Sequence, residues 1–164
     1  VGTVLHLAME RVKDQSKTFM VHVPYRGGAQ IVTDVIGNQV DLAVLISVTA
    51  APHIHSKKLK AIALTDGQRL PSLPDVPTVA ETAGFKGFEM VSWTGLFAPA
   101  QTPPAVVERL NRELGEVLRM DDVRAKLADG GAVAGKGSAA EFARFVQTES
   151  ARYAAIVKAA NIKE

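Results

Sequence analysis

The residues of this chain best suited to hold a ligand are Arg26, Gly27 and Gly28, within the stretch VPYRGGAQ. Two consecutive glycines allow unusual dihedrals and let the backbone approach a ligand closely. They stand just before Ile31, Val32, Val35 and Ile36, whose spacing predicts an amphipathic helix. The N-terminus of such a helix presents unpaired N–H groups and a partial positive charge. The chemistry implied is capture of a carboxylate, phosphate or sulfate on main-chain N–H groups. Arg26 could add a bidentate clamp. The bland alternative is a plain strand-to-helix connection with a glycine turn and a solvated arginine, common in α/β folds.

Other chemistries find little support. His53 and His55 are two apart and would face different ways on a helix, with no acidic partner at ligand spacing. His22 alternates with apolar neighbours on an expected strand, and His6 lies on the first expected helix as a packing or capping residue. No metal site is expected. There is no G-x-S-x-G elbow for a serine nucleophile. Asp121 and Asp122 look like the start of a helix, where acids favour the dipole. Asp66, Asp75 and Glu81 look like turn and cap residues, and Arg152 and Lys158 like a solvated helix face. No phosphate-binding or dinucleotide motif follows the first strand, so no cofactor is expected. Trp93 packs at a lobe interface or against a ligand. The residues give one anion-cradling turn and no catalytic set.

The elements that must position this turn follow from periodicity. Thr3 to about Lys13 reads as a helix. Phe19–Val23, Asp41–Ile46, Leu59–Leu64 and Phe88–Phe97 read as strands, the second nearly continuous in apolar residues, as in a buried parallel sheet. The turn's helix should end at Gly37-Asn38. Ser47 to Lys57 is expected to be helical, with Pro52 near its first turn. Thr78-Val-Ala-Glu81 and Ser138-Ala-Ala-Glu141 have capping-box spacing. Strand and helix alternate as in a parallel α/β sheet. Prolines at 71, 74, 77, 99, 103 and 104 mark loops, and a change of lobe is placed between Trp93 and Thr102. Beyond it the chain is mostly helical, with stripes at Val106, Val107, Leu110, Leu114, Val117 and Leu118, then Asp121 to Ala128, then Phe142, Phe145, Val146, Tyr153, Ile156 and Val157. Glu149 interrupts the last stripe.

The 164 residues suffice for one ordinary domain or two small lobes. A net charge of +2, with basic residues scattered, argues against nucleic acid. No apolar run approaches a membrane span, so the chain is not expected to be membrane-embedded. With no cysteine there is no disulfide framework and no thiolate chemistry. That absence fits a bacterial periplasm.

At this point the chain resembles a known family. VPYRGGAQIVTDVIGNQVDL is similar to the glycine-turn segment of the Bug proteins, the substrate-binding proteins of tripartite tricarboxylate transporters. LPSLPDVPTVAETAGFKGFEMVSWTGLFAPAQTP resembles their second signature, a proline-rich loop leading to a Ser-Trp strand and a Phe-Ala-Pro crossover. TVLHLAMERVK resembles the helix that follows a Gly/Ser-rich loop in that family. The likeness runs over essentially the whole chain.

The resemblance implies a two-lobed α/β fold of the periplasmic-binding-protein type (type II, a Venus flytrap). Residues 1–93 would be the second, ligand-binding lobe. Residues 94–164 would be the crossover and helices belonging to the first lobe. It also implies that the N-terminal part of the fold is missing, with its signal peptide and its own ligand loop. The function implied is capture of a small carboxylate in the periplasm for membrane transporter subunits, without catalysis. The ligand would be a di- or tricarboxylate, an acidic amino acid or an aromatic acid. The runner-up is a ligand-sensing domain of a transcription regulator with the same fold. Tyr25, Arg26, Gly27, Gly28 and Ala29 match the second-lobe ligand loop, and Thr3 and His6 match positions beside the cleft. Where the family often carries an Asp-Asn pair, Leu45-Ile46 stand here. Surface left open by the missing part is expected to drive association.

Overall fold

The computed structural model describes residues 2–162. Six α-helices follow in order: α1 (Val4–Ser16), α2 (Gly28–Ile36), α3 (Ser47–His55), α4 (Pro104–Arg119), α5 (Asp121–Asp129) and α6 (Ala139–Ala159). The chain divides into two compact units. One gathers the residues up to Ser92 together with those from Ile156 onward; the other is Trp93–Ala155. The boundary at Trp93 lies at one end of the interval where the sequence predicts a change of lobe.

The helices form where apolar spacing and end signals agree. The Thr3 hydroxyl caps α1 by accepting the His6 N–H. Beyond α2, Asn38 takes the left-handed conformation that ends helices, with φ 54°. At the head of α6 the capping box forms. Glu141 accepts the Ser138 N–H at 2.7 Å, and the Glu141 N–H donates to the Ser138 hydroxyl at 3.2 Å. The other capping box also forms, but over a single 3₁₀ turn, Val79–Glu81, rather than an α-helix. Arg69 holds Glu81 through two hydrogen bonds, 2.9 Å and 2.6 Å. That pairing, with the Thr78 N–H, lowers the Glu81 carboxyl to about 2. Pro52 sits sixth in α3, inside the helix rather than in its first turn.

The four predicted strands do not form a ladder. Among the described residues the single bridge is Leu64 with Thr78, parallel, where Leu64 N–H donates to Pro77 O and Val79 N–H to Leu64 O, each at 2.8 Å. Met90 N–H donates to Thr65 O at 2.8 Å, tying the Trp93 segment to the same place. Phe19–Val23 and Asp41–Ile46 carry no ladder bonds, and Phe19 is 89% exposed. Alternating apolar residues specify an extended segment, but a ladder needs a neighbouring strand, which local sequence does not supply.

The core of the first unit is built from Leu7, Ala8, Val32, Leu70, Leu73, Phe88 and Met90, with the buried Thr78 beside them. The Arg11 guanidinium lies 5.0 Å from the centre of the Phe88 ring. In the second unit Trp93 meets Phe142 and Phe145 edge-on, with centroids 5.8 and 5.3 Å away. These ring contacts lie within the second unit itself. Glu149, the residue that breaks the α6 stripe, is only 7% exposed. Arg152, expected on a solvated face, instead reaches its carboxylate at 3.2 Å.

Candidate functional site

The site is built on the first unit, where two helices begin side by side. At α2 the N-cap is Gly27 and no side chain caps the first turn. At α3 the N-cap is Ile46, again without a side-chain cap. An uncapped first turn leaves main-chain N–H groups pointing outward with the positive end of the dipole. The two helix starts touch: a Cβ on Gly28 would lie 3.1 Å from Cγ2 of Thr49 and 3.6 Å from its Oγ1.

The two glycines work differently from the sequence expectation. Gly27 has φ −170° and ψ 160°, an extended conformation that any residue adopts. Gly28 opens a helix and is absent from the positive-φ glycines. Neither needs an unusual dihedral. What each lacks is volume. A Cβ on Gly27 would meet nothing within 4 Å, so its hydrogen leaves open space beside the helix end. Gly28 lets α2 start directly against Thr49, a residue that sequence reading missed because its partner is 21 positions away.

Tyr25 is half-buried and turned along α2. Its O–H donates to Oδ2 of Asp34 at 2.7 Å, and that hydrogen bond raises the phenol above its usual range. Arg26 and Ala29 are exposed. Thr3 spends its hydroxyl on the α1 cap. His6 stacks on His22, ring centroids 3.9 Å apart and planes 14° apart, so α1 is held against the segment leading into the turn. Its Nδ1 accepts the Gly2 N–H at 3.2 Å, and its Nε2 lies 3.6 Å from the Glu10 carboxylate. Burial first, then the His22 charge, lowers its pKa. The structure therefore joins Tyr25 to Gly28 as one turn and brings His6 to the segment leading into it; no hydrogen bond, ion pair or ring contact links Thr3 or His6 to Gly27–Ala29 among the described residues. Nor does any group of three or more His, Cys, Asp or Glu among them have a metal-holding arrangement. No helix among them is long and apolar enough to cross a membrane.

The fold that these elements follow is the periplasmic-binding-protein type, of which this chain is a part. The solved structures it matches have that fold. Residues 1–162 match the tripartite tricarboxylate transporter family receptor, and the chain belongs to that family. It is 35% identical over 157 residues to the "UPF0065 protein in tcbD-tcbE intergenic region" of Pseudomonas sp. (strain P51), covering 96% of this chain and 47% of the relative. It superposes on "R. palustris Rpa4515 with adipate" with a TM-score of 0.86 at 32% identity, covering 98% of this chain and 53% of that one. For "MatC (Rpa3494) from Rhodopseudomonas palustris with bound malate" the TM-score is 0.79 at 33% identity, covering 94% and 53%. The chain thus spans about half the length of these relatives.

Proposed function

We propose that this chain captures a small carboxylate in the periplasm and delivers it to the membrane subunits of a tripartite tricarboxylate-type transporter, without catalysing a reaction. The observation that carries the reading is the uncapped start of α2 behind Gly27, where no side chain hydrogen-bonds the first turn and a Cβ on Gly27 would meet nothing within 4 Å. A ligand carboxylate sits on the N–H groups of Gly28 and Ala29. Each charge-assisted bond contributes roughly 1.5–3 kcal/mol, and the helix dipole about 0.3–1 kcal/mol more. Arg26, exposed beside the turn, adds charge from the rim. Adipate and malate in the matched structures support a carboxylate as the class. Residues 1–93 act as the ligand-binding lobe, and residues 94–164 supply the crossover and helices of the other, with the end of α6 from Ile156 gathered into the first unit.

Titration calorimetry of the intact protein with malate and adipate tests this. Gly27 is the informative position, because a side chain there enters only the open space. Gly27→Val should weaken binding by at least tenfold, about 1.4 kcal/mol. Equal affinity in parent and variant would reduce the turn to a simple connection.

A further inference from the structure

We propose that Asp34 is a positioning residue for the anion cradle, acting through Tyr25; this rests on the carboxylate-binding reading above. The turn that precedes α2 has little else to hold it. Among the described residues, no main-chain hydrogen bond outside the helices involves Pro24, Tyr25, Arg26 or Gly27. Gly27 has no side chain, and the α2 N-terminus has no side-chain cap. The tie across the turn is the 2.7 Å bond from the Tyr25 O–H to Asp34.

Its direction matters. Asp34 is the seventh residue of α2, so it lies about 9 Å along the axis from Gly28 at 1.5 Å per residue. Bonding there lays the phenol along the flank of the helix and keeps it off the helix end. The hydroxyl's only proton is committed to Asp34, so Tyr25 does not donate to a bound carboxylate. The Asp34 charge also stays remote from the ligand, where solvent screens it. Without the tie, the ring is released at a turn that the rest of the chain leaves loose, next to the space above Gly27.

The test compares Tyr25→Phe, Asp34→Ala, Asp34→Asn and the Phe/Ala double variant of the intact protein. Affinity for malate and adipate is read by calorimetry, and the mobility of Arg26 and Gly27 amides by ¹⁵N relaxation. Tyr25→Phe and Asp34→Ala should each weaken both ligands by about tenfold, a loss within the range for a hydrogen bond to a charged group. The double variant should be no weaker than either single, as expected for two ends of one interaction. Asp34→Asn keeps an accepting oxygen and should recover most of the affinity. The Arg26 and Gly27 amides should be more mobile in the first two variants and not in the third. Additive losses, or unchanged affinity with unchanged mobility, overturn the proposal. If the parent binds neither probe while mobility changes as described, the positioning role stands and the carboxylate reading fails.

Discussion

His6 and His22 stack face to face, 3.9 Å between ring centroids, and so fasten α1 to the extended segment that enters the glycine turn. The stack requires at least one neutral ring, since two imidazolium charges at this distance repel. His6 is held neutral: its side chain is 8% exposed, and Nδ1 is occupied by the Gly2 N–H. Burial and His22 lower its pKa; Lys13 acts the same way, and Glu10 opposes them.

The pH dependence follows from that sign. A histidine whose folded pKa lies below its unfolded value near 6.5 binds more protons when unfolded. Its contribution to stability is complete above about pH 6.5 and is lost as pH falls towards the lower folded value. Denaturant melts from pH 8 to 5 should show stability declining below about 6.5, and His6→Gln should flatten the decline. A parent whose stability is level across that range, or a variant with the same slope, contradicts the assignment.

Gly28 answers to packing, and this separates it from Gly27. An added methyl at Gly28 meets the Thr49 methyl at 3.1 Å, tighter than an ordinary contact. Gly28→Ala should destabilise the unit mildly, by about 1 kcal/mol for a small overpacking of α2 on α3. Thr49→Ser, which removes the opposing methyl, should restore the loss in the double variant. Thermal melts of the two singles and the double decide it, and additive losses would show that Thr49 is not the obstruction.

Gly95 is more demanding. The Phe142 ring lies on its backbone, so that a Cβ would come 2.9 Å from Cε1 and closer still to Cζ. The ring is flanked by Trp93, Phe97 and Phe145, which limits its retreat. Gly95→Ala should cost about 1–3 kcal/mol in chemical denaturation. Phe142→Leu should relieve part of that loss in the double variant while costing stability of its own. A neutral Gly95→Ala would mean the ring moves aside freely.

Exposed apolar side chains predict association of the 164-residue polypeptide. Phe19 and Val21 face solvent on the approach to the turn, and Leu96, Phe97, Val106, Leu110 and Phe145 do so in the second unit. Phe142 is half-buried among its neighbouring aromatics. Apolar surface of this kind drives association. Sedimentation across a concentration series should show species larger than 17.5 kDa, and Phe19→Ser with Val21→Ser should reduce them. A single monomeric species at every concentration would contradict the prediction.

Helix positions, the two capping boxes and the glycine turn were legible in the sequence, because each rests on residues within a turn or two of one another. The apolar spacing of Ile31, Val32, Val35 and Ile36 placed α2, and Ser138 with Glu141 placed the start of α6. The family, too, was legible in two contiguous signatures. The pairing of Phe19–Val23 and Asp41–Ile46 was not, since a ladder depends on a neighbour that local pattern does not name. Nor could the sequence say that Gly28 is small because of Thr49, that His6 rests on His22, or that Arg152 turns to a buried Glu149. In each case the partner is chosen by how the helices lie together, or by which face of α6 is covered. Those choices are made by burial and excluded volume across the folded chain, and they decided that Tyr25 faces Asp34.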